Sequence, residues 1–298
     1  MVRPTTLIYC VRLNRYLGLD ILLASETFQH TGNFKFRGAW HMASNVPHHH
    51  LLTSSSGNFG QALAFACQEL NKRCTVVMPD DSVKVKVEAV REFGGSVELV
   101  DTRKITRDAR VAELARQYPD AYVASGFDDE LMITGNSTLG RELAKLKGDV
   151  DAIVAPISGG GLVSGILKGL HSEGVDIPLI GAEPLLANHV TRSIRAGQII
   201  RDKEESKTIA DGARTMSLGE RNWAILKTGL TETIEVPEAA IRDAVRLLFH
   251  LANLKAEPTG ALAVAAILVQ PERFQARRVC CVISGGNVDA PLFSSLIA

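Results

Sequence analysis

Short apolar runs alternate with amphipathic stretches along almost the whole chain, and that order leaves few folds open. Arg73-Cys-Thr-Val-Val-Met78 reads as a buried strand closed by Pro79, and the helical stretch Ser82 to Phe93 that follows is ended by Gly94-Gly95. Ser96 to Val100 reads as the next strand and Asp108 to Tyr118 as the next helix. Asp151 to Ile157 is another strand, followed by glycines and a helix from Leu162, and Pro178 to Ala182 is a further strand. Near the end, Ile241, Val245, Leu248 and Ala252 recur at helical spacing before the β-branched run Val279 to Ile283. Strand and helix in alternation imply an α/β fold of parallel sheets with helices on both faces.

The 298 residues allow two ordinary domains or one large unit, and 46% hydrophobic content supports a substantial core. No internal repeat or low-complexity linker marks a boundary. Lys plus Arg and Asp plus Glu both total 33, so there is no net field for nucleic acid or an anionic membrane. The run His48-His49-His50 reads as a solvated loop between elements. Five cysteines at 10, 67, 74, 280 and 281 form no CxxC or zinc spacing, and reduced thiols in a cytoplasmic protein explain them better than disulfides. No apolar run reaches the length of a membrane span, and no signal peptide is expected.

Four segments carry chemistry, three of them at strand ends. Ser158-Gly159-Gly160-Gly161-Leu162 lies between a strand and a helix, where free N–H groups and the helix dipole attract an anion; a phosphate cradle and a plain tight turn both fit. Ser284-Gly285-Gly286-Asn287 follows the last buried strand, at the sheet end where open α/β folds bind ligands. Thr53-Ser54-Ser55-Ser56-Gly57-Asn58 opens a helix with more hydroxyls than capping needs, which suits a carboxylate or hydroxyl ligand. In Thr31-Gly32-Asn33-Phe34-Lys35-Phe36-Arg37-Gly38-Ala39, a lysine stands between two phenylalanines. A buried ammonium is costly, so a lysine there loses its proton readily and becomes a nucleophile or Schiff-base partner. A lysine snorkelling at a helix edge is the plainer alternative.

Together these segments resemble fold-type II pyridoxal-phosphate enzymes of the threonine dehydratase and serine racemase family. Thr31 to Ala39 resembles the cofactor-lysine motif, Ser55 to Asn58 the Ser-x-Gly-Asn loop, and Ser158 to Leu162 the phosphate loop. Ser284 to Asp289 resembles the C-terminal motif, and Thr208-Ile-Ala-Asp-Gly212 and Glu257-Pro-Thr-Gly-Ala261 match in type and order. The resemblance implies a fold like the tryptophan synthase β-subunit, with two parallel-sheet-based domains and pyridoxal 5'-phosphate between them. The large domain would comprise 1–47 plus 129–298, with a small domain inserted at 48–128.

By the same resemblance Lys35 carries the cofactor and takes the Cα proton, while Ser56 is the catalytic hydroxyl on the opposite face. Asn58 meets the phenolic oxygen, the amides of Ser158, Gly159, Gly160, Gly161 and Leu162 hold the phosphate, Phe34 and Gly212 flank the ring, and Ser284 meets the pyridine nitrogen. Ser55, Ser56, Asn58 and Gln61 hold the substrate. A hydroxyl at the nitrogen leaves the ring a weaker electron sink, which favours β-elimination. The expected activity is therefore dehydration and deamination of L-threonine or L-serine to a 2-oxo acid and ammonia. A racemase is the alternative, since racemases of the family also carry Ser at position 56; a β-replacement enzyme and a non-catalytic cofactor-binding protein rank lower. Phe59 stands where the branch often has His and makes the pocket more apolar. The family's cation site resembles Glu183, Ala187 and the position of His189, where magnesium-dependent members carry Asp, so magnesium is not expected there and a monovalent cation is left open. A homodimer without a regulatory domain is expected.

Overall fold

The structure is a computed structural model that describes every residue except Ser56 and Val83, together with all side chains but these and Val85. Ser56, the residue on which the racemase reading turns, thus lies outside the described residues.

The elements follow one another as β1 (Thr6–Tyr9), α1 (Val11–Leu17), β2 (Asp20–Ser25), α2 (Lys35–Asn45), β3 (His50–Thr53), α3 (Asn58–Glu69), β4 (Arg73–Pro79), α4 (Lys84–Glu92), β5 (Ser96–Val100), α5 (Arg107–Gln117) and β6 (Ala121–Val123). The remainder runs α6 (Glu130–Ala144), β7 (Ala152–Pro156), α7 (Gly161–Ser172), β8 (Leu179–Pro184), α8 (His189–Ala196), α9 (Glu220–Gly229), β9 (Glu232–Val236), α10 (Glu238–Ala252), α11 (Leu262–Val269), β10 (Arg278–Ile283) and α12 (Ala290–Ile297).

Two sheets form. One has six strands in the order β1-β2-β10-β7-β8-β9, the other four in the order β5-β4-β3-β6. The four-stranded sheet is wholly parallel, and so is the larger one except at its edge, where β1 runs antiparallel to β2. That edge departs from the all-parallel expectation for a visible reason. The central strands β7 and β8 are buried at every residue, whereas β1 alternates half-buried and exposed residues. Alternation belongs to a strand with one wet face, which an antiparallel edge tolerates and a parallel interior does not. The histidine run also differs from expectation: His50 begins β3 and is buried, with its Nε2 2.9 Å from the Thr75 hydroxyl.

Helix α11 explains how the larger sheet is covered. Leu262 through Ile267 are all fully buried, so this helix is apolar on every side and packs against β7, β8, β9 and β10 under α10. On the other face α7 lies against α6 at backbone distance, because glycines at 140, 165 and 169 leave no side chains between them. Burying each Leu, Ile or Val here contributes about 1.5–3 kcal/mol, opposed by chain entropy of similar total size. Sheet and helices thus fix where the strands end, and the turns that follow those ends converge.

Candidate active site

Lys35 is the first residue of α2, entered through Phe34. Its turn is stitched to the far end of the chain. Phe34 N–H donates to the Ser284 carbonyl at 2.9 Å, Gly286 N–H donates to the Gly32 carbonyl at 2.9 Å, and Asn33 bridges to Gly285. Strand β10, which delivers Ser284, pairs in register with β2, which leads into the lysine turn. Two segments distant in sequence are therefore one structural unit.

The lysine amine donates to the Gly126 carbonyl and stands 5.1 Å from the centre of the Phe34 ring. Burial lowers its pKa to about 8, against an opposing pull from the Glu257 carboxylate. A snorkelling lysine would keep its ammonium in water and its ordinary basicity, so that alternative falls. Across the site Asn58, the first residue of α3, donates through Nδ2 to both carboxyl oxygens of Glu257, at 2.8 and 3.1 Å. Its Oδ1 accepts from Asn287 Nδ2 at 2.9 Å. Burial is the main cause that raises the Glu257 pKa to about 8, with Asp211 adding to it.

The glycine turn joins this group through Gly126-Phe127. A side chain on Gly159 would run into the Phe127 ring, and one on Gly161 into the Phe127 carbonyl. Asn222 of α9 donates to the carbonyls of Phe127 and Gly159 at 2.9 Å each, clamping the two segments together. Among the described residues, the amides of Gly159, Gly160, Gly161 and Leu162 have no protein acceptor, and they stand at the N-terminus of α7. Gly212 donates to Thr259 Oγ1 at 3.0 Å, and its neighbour Asp211 pairs with Lys86 at 2.9 Å, tying α4 to the larger sheet's loops.

Residues 1–285 match the family described as pyridoxal-phosphate dependent enzyme. The chain belongs to this family. It is 32% identical over 289 residues to an L-threo-3-hydroxyaspartate ammonia-lyase from Pseudomonas sp, covering 96% of this chain and 90% of the relative. It is 32% identical over 292 residues to a serine racemase from Dictyostelium discoideum, at 96% and 90% coverage. The crystal structure of a threonine deaminase from T.th. superposes with a TM-score of 0.91 at 36% identity, over 97% of this chain and 94% of that one. The fold is accordingly that of a fold-type II pyridoxal-phosphate enzyme.

The residues present fit pyridoxal phosphate. Four acceptor-free amides at a helix N-terminus suit a phosphate. The Ser284 hydroxyl has no partner among the described residues, although the residue is only 2% exposed. The lysine amine is desolvated and close by. Gln61 lies half-buried on α3 and makes no side-chain bond to the described residues of the group, and Ser55 precedes that helix, also half-buried. Behind the loop, His189 Nε2 donates to the Ser158 carbonyl at 3.2 Å. Glu183 spends its carboxylate on the Val190 and Thr191 amides, at 3.1 and 2.7 Å, and on the Thr191 hydroxyl. Burial lifts its pKa to about 7. Ala187 is buried in the turn between them, and among the described residues no group of three or more His, Cys, Asp or Glu forms a metal site.

Sequence reasoning missed three features. Glu257 entered only as part of a motif, without a role. Gly126-Phe127, the backing of both lysine and glycine loop, carries no residue pattern to notice. Arg37, two residues after the lysine, is fully buried in a network: Nε and Nη2 meet Glu26 at 2.6 and 2.8 Å, and Nη1 meets Glu142 at 2.8 Å and Thr138 Oγ1 at 2.9 Å. An arginine directly after Phe36, in an otherwise apolar and glycine-rich stretch, was the available signal, since burying it requires carboxylates.

The glycine loop yields a first test. Gly160 has φ +97°, and a side chain there would meet Asn222 Cβ at 2.7 Å and Leu226 Cδ1 at 2.9 Å. Gly160→Val is therefore strained against α9, not against the anion, and must move the loop itself. The displaced amides forfeit charge-assisted bonds of about 1.5–3 kcal/mol each, so cofactor affinity should fall about a hundredfold or more. Equal affinity in equilibrium dialysis would place the phosphate elsewhere.

Proposed function

We propose that this chain is an ammonia-lyase that dehydrates and deaminates a small 3-hydroxy amino acid to a 2-oxo acid and ammonia. The observation that carries the reading is the desolvated Lys35 amine, held between Gly126, Phe34 and the turn that delivers Ser284. With a pKa near 8, a useful fraction of this amine is free base at neutral pH, which an ordinary lysine is not. When bound, pyridoxal phosphate supplies the electron sink that acidifies the substrate Cα–H. Lys35 takes that proton. The amides of Ser158 to Leu162 would hold the phosphate, the Ser284 hydroxyl would meet the pyridine nitrogen without adding charge, and Asn58 would meet the phenolic oxygen. Ser55, Ser56, Asn58 and Gln61 orient the substrate carboxylate. Phe34 and Gly212 close the two faces, while Phe59, 2% exposed, keeps water from the α3 side.

Serine and threonine are the first substrates of this reading. A substrate with a second carboxylate belongs to the same reading, since a relative 32% identical to this chain is an L-threo-3-hydroxyaspartate ammonia-lyase. The supporting frame belongs to the same proposal. Segment 48–128 is the inserted small domain, in keeping with a sheet whose strands all fall within it. The chain is a cytoplasmic homodimer, in keeping with five free thiols and with the exposed Leu7, Tyr9, Val11 and Tyr16 on β1 and α1. No helix of the described residues is long and apolar enough to cross a membrane.

The test is to incubate the loaded enzyme with L-serine, L-threonine and L-threo-3-hydroxyaspartate, and to measure 2-oxo acid and product chirality together. We expect 2-oxo acid to exceed D-isomer for at least one of them. D-isomer in excess for all three would replace this reading by racemisation, and no turnover with any would overturn both.

A further inference from the structure

Three polar groups meet at Asn58, and their donor and acceptor ends permit only one arrangement. Asn287 Nδ2 donates to the Thr31 main-chain carbonyl at 2.8 Å. A carbonyl can only accept, so the nitrogen end of the Asn287 amide is fixed there. The same nitrogen lies 2.9 Å from Asn58, so the Asn58 atom it meets must be the oxygen. The NH2 end of Asn58 then faces Glu257. Turning the Asn58 amide over would set its nitrogen against the Asn287 nitrogen, donor against donor in a buried place, whatever the charge on Glu257.

Glu257 is built into this position. It is 3% exposed, and its own amide donates to the Gly285 carbonyl at 3.1 Å. Gly285 admits the carboxyl because a side chain there would lie 2.7 Å from Glu257 Oε1. Both carboxyl oxygens take the Asn58 nitrogen, yet the two hydrogens of an amide nitrogen diverge by about 120°, far more than one carboxyl subtends. One hydrogen therefore serves Glu257 and the second is left for the site.

We propose that Glu257 is a positioning residue, which fixes Asn58 so that the second amide hydrogen is aimed at the phenolic oxygen of the cofactor. This rests on the placement of that oxygen against Asn58 under Proposed function. Lys35, Lys86 and Asp211 also act on Glu257. Its pKa, raised to about 8 by burial, keeps much of the carboxyl neutral at neutral pH, so it accepts from Asn58 without setting a full negative charge near a second oxyanion.

The experiment titrates the visible absorption of the loaded protein against pH without substrate, and follows kcat and KM separately, in Glu257→Ala, Glu257→Gln, Asn58→Ala and the Glu257→Ala/Asn58→Ala pair. Cofactor content and melting temperature verify that each variant is folded and loaded. Glu257→Ala should move the spectral midpoint by about one pH unit. Its kcat should fall about tenfold, with KM changing much less. Glu257→Gln keeps an acceptor for Asn58 and should recover most of the midpoint. Asn58→Ala should match Glu257→Ala, and the double variant should add nothing. Additive effects in the double variant, or a Gln variant as displaced as the Ala variant, overturn the positioning role. An Asn58→Ala spectrum equal to the parent's, beside a shifted Glu257→Ala, overturns the placement of the phenolic oxygen and this proposal with it.

Discussion

Lys35→Ala is expected to lose about 10⁴-fold or more of turnover while keeping its fold. Both halves of that result come from the same burial. The amine is held where burial weakens the stabilisation of its charge by water, which lowers its pKa to about 8 and makes it a competent base. The same desolvation costs folding energy, so removing the amine relieves the apoprotein; its melting temperature should equal or exceed the parent's. No other lysine of the described residues is placed to replace it: Lys86, the other lysine that acts on Glu257, is paired with Asp211. Borohydride reduction of the loaded parent followed by peptide mapping should label Lys35. Label on a different lysine, or a variant within tenfold of the parent, would remove Lys35 from the mechanism.

Arg37→Leu is expected to be the most destabilising single change near the site, by about 3–5 kcal/mol. The cost lies with Glu26, which is fully buried and whose two carboxyl oxygens are both held by the guanidinium. Glu142 is less affected, since a quarter of its side chain is exposed and water can take the lost place. Arg37→Lys should fail almost as badly, because an ammonium cannot span Glu26 and Glu142 with a planar fork. Arg37→Leu/Glu26→Leu should recover more than half of the loss. Urea midpoints at constant slope measure all of these. A single variant within about 1 kcal/mol of the parent would mean that Glu26 finds water or a proton at little cost.

The parts of the fold that could be read from the sequence were those with a local cause. The run from Val279 to Ile283 is a strand because β-branched and small apolar residues crowd there, and Ser96 to Val100 forms β5 at the expected bounds. Lys35 stood out because an ammonium between phenylalanines conflicts with its surroundings. The glycine loop stood out because three glycines follow a buried strand. What escaped was decided by partners far along the chain. Glu26 and Glu142 look like any surface acids until Arg37 is seen between them, and Glu257 acquires meaning only opposite Asn58, 199 residues away. The antiparallel β1 escaped because an alternating four-residue strand gives no sign of direction. The bounds 48 and 128 proposed for an inserted domain have no counterpart in composition, since both sheets draw on the same apolar residues.

The pairing of β2 with β10, and of the lysine turn with Ser284 to Asn287, has a consequence for biosynthesis. A ribosome that has produced Lys35 must go on as far as Ser284 before the carbonyl that receives the Phe34 amide exists. Until then the Phe34 amide lacks that acceptor, and Asn287 is not yet there to donate to Asn58. Strands β3 to β6 all lie between His50 and Val123, so the smaller sheet draws no strand from the far end of the chain, whereas the lysine turn depends on it. The turn that carries Lys35 thereby closes only once Ser284 to Asn287 have been made.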